Sequence, residues 1–275
     1  MTLSIVIVSY NAREDLGRCL ESLHASPPAL THTITVVDNA STEGGLDRLR
    51  ERWPAVRLIA LDRNRGFAAG NNAGIRATEG ELLLLLNSDT EAPRGAIDTL
   101  VARLRAHHDA AAAGPRLVDR AGRVEMSFGG MISPLGELRQ KVKGALYDAG
   151  VGPIRRWVER QARREQYVDW VSGACLLVWR ADAEAVGLLD ERFFLYTEDV
   201  DFCASLRARG RKILFTPSAE IVHARGRSRA TAPTAMETAY RRSQLAFYEK
   251  HHQRWTPLLR AYLRLKGSLP PSESE

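Results

Sequence analysis

Residues 82–89 read Leu-Leu-Leu-Leu-Leu-Asn-Ser-Asp, an unbroken leucine run that ends in a polar triplet. An apolar run without alternation describes a strand buried on both faces, and such strands belong to parallel sheets covered by helices on either side. The same pattern recurs upstream. Leu3-Ser4-Ile5-Val6-Ile7-Val8 leads into Ser9-Tyr10-Asn11, Thr33-Ile34-Thr35-Val36-Val37 leads into Asp38-Asn39, and Val56 to Leu61 supplies another run. Helical patterns separate them, the first from Arg13 to about Ala25, and Ser41 or Thr42 is placed to cap the next helix. The expected fold is α/β, with a mainly parallel, Rossmann-like central sheet flanked by helices.

Further along, residues 111–115 and 123–126 read as short strands, and 131–168 as a long insertion with weak helices. Val168 to Trp179 reads as a strand interrupted at Ser172-Gly173. Asp199 to Arg209 is helical, Lys212 to Phe215 and Glu220 to His223 are short strands, and a helical pattern runs from Thr234 to about Lys266. The expected organisation is one α/β domain over 1–228, split into halves at 115/116, then a basic helical extension at 229–267 and a disordered polar tail at 268–275.

The chain has 275 residues, enough for one large core plus a small addition. No apolar run approaches the ~20 residues that span a bilayer. The N-terminus has no basic region ahead of its apolar stretch, so it does not read as a signal peptide. Cys19, Cys175 and Cys203 give neither a disulfide frame nor zinc spacing, which suits a reducing cytoplasm. The net charge of +6 is uneven: 131–168 carries +4, 225–266 carries +8, and the rest is mildly acidic. Those two basic segments face nucleic acid, a membrane surface or an anionic substrate.

In parallel α/β sheets ligands bind beyond the carboxyl ends of the strands. Ser9-Tyr10-Asn11, Asp38-Asn39 and Asn87-Ser88-Asp89 all stand there and together describe one crevice. Any one of them alone is adequately explained as a turn or a helix cap. Asp89 sits at the rim of a buried strand, where an unpaired carboxylate is costly and a divalent cation resolves the cost. Such a cation also neutralises charge developing on a diphosphate leaving group. There is no Gly-x-Gly-x-x-Gly after the first strand and no Gly-Lys-Ser/Thr phosphate loop, so side chains at the strand ends must hold any nucleotide.

Gly66, Gly70 and Gly74 share one helical face. That face suits close packing on the sheet; it also suits a helix N-terminus near a phosphate, with Asn64 and Asn72 as hydrogen-bonding groups. Glu198, Asp199 and Asp201 lie within one turn among aromatic residues. Thr197 can cap that helix and acids favour its first turn, but an apolar setting also raises the proton affinity of a carboxylate, as a general base needs. His223 ends a short strand and reads as a hydrogen-bonded structural residue, a metal ligand or a phosphate contact.

Together these motifs resemble the inverting glycosyltransferase family 2, with its GT-A fold. The matching pieces are 8–11, 37–41, 64–67, 70–74, 86–89, Trp170-Val171-Ser172-Gly173-Ala174, 197–201 and His223, in order along roughly residues 3–228. They look most like the bacterial rhamnosyltransferase-like branch that builds cell-surface polysaccharides. The resemblance implies that Asp38 meets the edge of a pyrimidine ring, with Ser9, Tyr10, Asn11, Asn64, Gly66, Asn72, Asn87 and Ser88 around the nucleotide. It implies that Asp89 is the last acid of an Asp-x-Asp metal motif whose first position is Asn87 here, that His223 completes the shell of Mg²⁺ or Mn²⁺, and that Asp199 deprotonates the acceptor hydroxyl. Trp170, Gly173, Glu198 and Asp201 would line the sugars. Asn71 stands where many members carry Arg. The implied reaction is a single in-line displacement with inversion. The best-matching donor is dTDP-rhamnose, with a UDP-hexose or UDP-N-acetylhexosamine as the alternative, and the acceptor is a glycan or a lipid-linked sugar.

Residues 154–164 and 254–266 place arginines beside apolar stripes. They read either as ordinary helices with solvated faces or as an interfacial surface on the inner face of the cell membrane. Rival functions fit less well. A nucleotidyltransferase needs a Gly-rich basic loop after the first strand, which is missing. A non-catalytic binding module has no use for both acidic sets. Nucleic acid is suggested by charge alone, without an interleaved aromatic motif.

Overall fold

The computed structural model describes residues 1–224 and 233–270. Its centre is a sheet in which β1 (Leu3–Ser9) lies between β2 (His32–Asp38) and β4 (Leu82–Asn87), with β3 (Arg57–Ala60) outside β2, all parallel. Beyond β4 the order continues through β10 (Cys175–Trp179), β6 (Ala110–Val118), β11 (Lys212–His223) and β5 (Thr90–Glu91). β10 runs antiparallel to both its neighbours, so the sheet is mainly but not wholly parallel. β8 (Gln166–Val168) adds to β11, and β7 (Phe128–Gly129) pairs with β9 (Trp170–Val171) in a separate ribbon.

The strict period of two along each strand assigns side chains to opposite faces. Ile5, Ile7, Leu82, Leu84 and Leu86 pack with α1 (Arg13–Ala25) and α4 (Ala96–Ala106). Val6, Val8, Leu83 and Leu85 pack with α3 (Gly66–Arg76) and α8 (Glu198–Ala208). This is why the leucine run shows no alternation: both of its faces are core. α3 comes unusually close to β1, because a Cβ on Gly70 would stand 2.8 Å from Val8 Cγ1 and one on Gly74 would overlap Val6. α2 (Leu46–Arg52) and α7 (Arg180–Ala185) complete the helical cover.

A third apolar cluster joins the C-terminal helices α9 (Pro233–His251) and α10 (Thr256–Leu265) to the main body. Leu245, Phe247, Tyr248, Leu259 and Leu263 pack against Phe193 and Val200. The insertion forms α5 (Pro134–Asp148), capped by Ser133 Oγ accepting from Gly136 N, and α6 (Gly152–Gln161).

Several local expectations are corrected. The pieces around Pro217 are one strand, because a register shift between Thr216 and Glu220 absorbs the proline as a bulge. Residues 123–126 form no strand; Val124 makes a single bridge to Val118. Ser41 and Thr42 cap no helix, since α2 starts later at Leu46 behind a left-handed Gly45. Thr197 makes no side-chain cap either. Of the tail, Ser268 N donates to Leu263 O, while residues 271–275 lie outside the described residues, as does the 225–232 part of the basic extension.

Candidate active site

Strand register levels the crevice floor. Ser9 stands opposite Asp38, and Val8 opposite Asn87, so all three polar strand ends emerge side by side. Asp38 is buried, and its Oδ2 accepts from Ser41 N at 3.2 Å. Asn11 takes a left-handed backbone (φ 47°), which Asn tolerates better than most residues. Its N–H donates to Ser41 Oγ at 2.9 Å and its Oδ1 accepts from Thr42 N at 2.8 Å. Ser41 and Thr42 therefore brace the wall of the crevice. Tyr10 is exposed at its mouth.

Asn64 and Asn72 are engaged in the scaffold. Asn64 Oδ1 accepts from Asn39 Nδ2 at 2.8 Å and from Gly66 N at 3.0 Å. Asn72, buried, donates through Nδ2 to Leu189 O and Glu191 Oε1, and its Oδ1 accepts from Leu189 N. Phe67 N, at the start of α3, donates to Phe194 O at 2.8 Å. The expectation that the start of α3 presents open amides to a phosphate is thus corrected at Gly66 and Phe67: the Gly66 amide is held by Asn64 Oδ1, and the Phe67 amide docks the 193–197 segment. Gly66 is obligatory there, since its φ is 85° and a Cβ would overlap the Phe194 backbone.

At the end of β4 the chain turns through Ser88 and Asp89 into β5, which pairs antiparallel with the end of β11. Thr90 stands opposite His223, and Ala224 N donates to Asp89 O at 2.8 Å. This pairing brings Asp89 and His223 together across a long stretch of sequence. His223 Nε2 is 3.2 Å from Asp89 Oδ1 and 3.5 Å from Asn87 Nδ2, while Nδ1 is 2.8 Å from Glu125 Oε2. Burial pulls the imidazole toward neutrality, but the two carboxylates outweigh it and hold its pKa up at about 9. Asn87 Oδ1 is buried without a hydrogen-bond partner. Glu125 escaped the sequence reading: it lies in an irregular segment, and nothing in Val-Glu-Met marks its carboxylate as buried against a ring.

The acidic run behaves unevenly. Tyr196 and Thr197 are both left-handed (φ 69° and 63°), and this strained pair throws the start of α8 toward the Ser172-Gly173 turn. Asp199 Oδ2 accepts from Gly173 N and its Oδ1 from Val200 N, both at 2.8 Å. Burial raises its pKa, and those amides partly oppose the shift. Glu198 is buried, and its Oε2 has no partner; burial first, then the charge of Asp199, raises its pKa further. Of the two acids, Asp199 has the better-stabilised charge, because two N–H donors meet its carboxylate and Glu198 Oε2 has none. Asp201 is fully buried, and its oxygens face His251 Nε2 at 2.6 Å and Lys250 Nζ at 2.8 Å on α9. That arrangement corrects its assignment to the sugar site. Trp170 Nε1 donates to Gly130 O at 3.0 Å, fixing the β7–β9 ribbon beside Gly173.

A cavity of about 300 Å³ opens between this ribbon and α6; Glu125, Phe128, Lys143, Trp157, Val158 and Tyr167 are among its walls.

A crevice at the carboxyl ends of a mainly parallel sheet, with a carboxylate–imidazole pair and a buried acid on a helix start, is the arrangement of a GT-A-type glycosyltransferase. The family model "Glycosyl transferase family 2" matches residues 4–167, and the chain belongs to that family. Within it the chain falls in the rhamnosyltransferase-like branch. It is 32% identical, over 97% of its own length and 90% of the relative's, to the N-acetylglucosaminyl-diphospho-decaprenol L-rhamnosyltransferase of Mycobacterium tuberculosis. Two solved structures share the fold. A mannosyltransferase from Pyrobaculum calidifontis in complex with GDP-Man and Mn²⁺ superposes with a TM-score of 0.63 at 18% identity, over 96% of this chain and 69% of that one. GalNAc-T7 with UDP, GalNAc and Mn²⁺ superposes with 0.62 at 17% identity, over 100% and 59%.

Proposed function

We propose that this enzyme transfers L-rhamnose from dTDP-rhamnose to a lipid-linked, diphosphate-bearing sugar acceptor, with inversion and with help from a divalent cation. The near full-length likeness to a rhamnosyltransferase with such an acceptor carries the choice of substrates. The geometry supports the chemistry. Asp38 and the Asn11–Ser41–Thr42 bracket border the place for the nucleoside. Asp89, His223 and the unpartnered Asn87 Oδ1 form an oxygen-and-imidazole set that fits Mg²⁺ or Mn²⁺. Among the described residues no group of three or more His, Cys, Asp or Glu is arranged to hold a metal, so the remaining ligands of such a cation would have to come from elsewhere, as the donor's phosphates can supply. Bound there, the cation would offset negative charge on the departing diphosphate.

Asp199 is the base. Its ionised carboxylate takes the proton of the acceptor hydroxyl as that oxygen bonds to the anomeric carbon. The bond from that carbon to the nucleoside diphosphate breaks on the opposite face, and its electron pair leaves with the diphosphate. Gly173 N and Val200 N fix the carboxylate's orientation. Burial and the charge of Asp199 raise the proton affinity of Glu198 well above that of an ordinary glutamate, so it opposes ionisation beside the base.

No described helix is long and apolar enough to cross a membrane. Contact with one is instead the proposed task of α10 and its approach, where Trp255, Leu258, Tyr262 and Leu265 make an exposed stripe beside Arg254, Arg264 and Lys266. Trp157 on α6, beneath Lys143 Nζ, is exposed as well.

The test is a donor panel of dTDP-rhamnose, UDP-hexoses and UDP-N-acetylhexosamines with an N-acetylglucosaminyl-diphospho-prenol acceptor and Mg²⁺ or Mn²⁺. Rhamnosylated product in the inverted configuration supports the proposal. Turnover with a UDP-sugar alone replaces the donor, and retained configuration removes Asp199 from its role.

A further inference from the structure

An imidazole has two nitrogens, and what holds one decides what the other can do. His223 Nδ1 faces Glu125 Oε2 at 2.8 Å, and Nε2 faces Asp89 Oδ1 at 3.2 Å on the opposite side of the ring. The placement of Glu125 is built into the backbone. Asp119 Oδ1 accepts from Ala121 N and Arg123 N, closing a tight turn, and Glu125 N then donates to Leu117 O at 2.9 Å. This pins the residue over β6 with only 8% of its surface exposed. Burying a carboxylate there costs several kcal/mol unless a specific partner compensates.

With the Nδ1 proton donated to Glu125, a neutral ring carries its lone pair at Nε2. A lone pair and the Asp89 carboxylate facing each other at 3.2 Å repel unless a positive charge lies between them. A divalent cation can lie there without disturbing Glu125, which sits on the far side of the ring. Asn87, whose Oδ1 lacks a partner, borders the same spot.

We propose that Glu125 is a positioning residue that fixes the Nδ1–H tautomer of His223 and strengthens its Nε2 as a ligand for the divalent cation shared with Asp89. The proposal rests on the metal-dependent reading of the site. A carboxylate behind a metal-bound histidine raises the ligand's basicity, and losing it weakens metal affinity about 10- to 100-fold.

Two measurements test it. In the first, electron paramagnetic resonance follows Mn²⁺ binding to the full chain, alone and with a nucleoside diphosphate, for the natural protein, Glu125→Gln and Asp89→Ala. Glutamine keeps the size and an acceptor oxygen but removes the charge. The expected result is affinity roughly 10- to 100-fold weaker for Glu125→Gln, with an unfolding temperature no lower in the absence of metal. A purely structural Glu125 would move the unfolding temperature and leave the Mn²⁺ affinity alone. In the second, nitrogen NMR of histidine-labelled natural protein with Mg²⁺, assigned by the signal lost in His223→Gln, reports the tautomer without any change at Glu125. The proton must be on Nδ1.

Unchanged Mn²⁺ affinity in Glu125→Gln, or a proton on Nε2 in the Mg²⁺-loaded protein, overturns the proposal while the metal-dependent reading stands. A natural protein that binds no Mn²⁺ under either condition overturns both.

Discussion

Asp201 Oδ1 lies 2.6 Å from Nε2 of His251, which ties the last acid of the 198–201 run to the C-terminal helix rather than to the crevice. Lys250 Nζ holds its other oxygen at 2.8 Å and also reaches Asp190 Oδ2 at 2.9 Å. The carboxylate is buried with two basic partners, and breaking such a pair is far more damaging than its net worth, because a charge is left stranded. Asp201→Ala is expected to lower stability by about 3 kcal/mol. Urea denaturation measures this, and an undiminished midpoint removes the structural role.

Asp199→Asn keeps the side chain's shape and its bond from Gly173 N, but it cannot accept a proton. Turnover should fall by about 10²- to 10⁴-fold while the donor still protects the protein thermally. Asp89→Ala should do the reverse and abolish metal-dependent donor protection. If Asp199→Asn turns over normally, the base is elsewhere.

Glu198 makes a prediction with a sign. Burial and the Asp199 charge raise its folded-state pKa above that of the unfolded chain. At low pH both states are protonated and the residue costs nothing. As pH rises past the ordinary glutamate range, the unfolded state ionises while the folded state resists, so stability is lost. Glu198→Gln should therefore melt higher than the natural protein at neutral pH, with the advantage vanishing toward pH ~4. Melting curves across that range decide it, and an advantage that does not change with pH would disprove the mechanism.

Leu258 and Leu265 are 61% and 90% exposed, so changing them should leave the fold intact. Leu258→Glu with Leu265→Glu is expected to abolish co-sedimentation with anionic vesicles without shifting the melting temperature. Equal sedimentation of both proteins would take α10 out of the membrane contact.

The N-terminal half of the sheet was readable because its strands carry continuous apolar runs that end in polar residues, and α1 (Arg13–Ala25) formed where the helical pattern placed it. Asp89 and His223 were each visible as the last polar residue after an apolar run. What stayed hidden depends on contacts between distant segments. Nothing near Glu125 announces the ring it faces. Asp199 and Asp201 are chemically alike in sequence, and only the docking of α9 separates them. Asn72 and Asn64 looked like ligand-binding amides because key partners lie in other segments: Leu189 O and the Glu191 carboxylate for Asn72, and the Asn39 side-chain amide for Asn64.

Phe193 and Val200 share their apolar cluster with Leu245, Phe247, Leu259 and Leu263. A chain cut after residue 228 would expose that surface and strip Asp201 of Lys250 and His251, two residues along α8 from Asp199. The part of the sequence that matches the family model is thus smaller than the part that must be inherited together. Exchange of segments with a relative would succeed only if α9 and α10 travelled with the Phe193–Val200 segment, so a viable junction lies ahead of Phe193 rather than between it and the C-terminal helices.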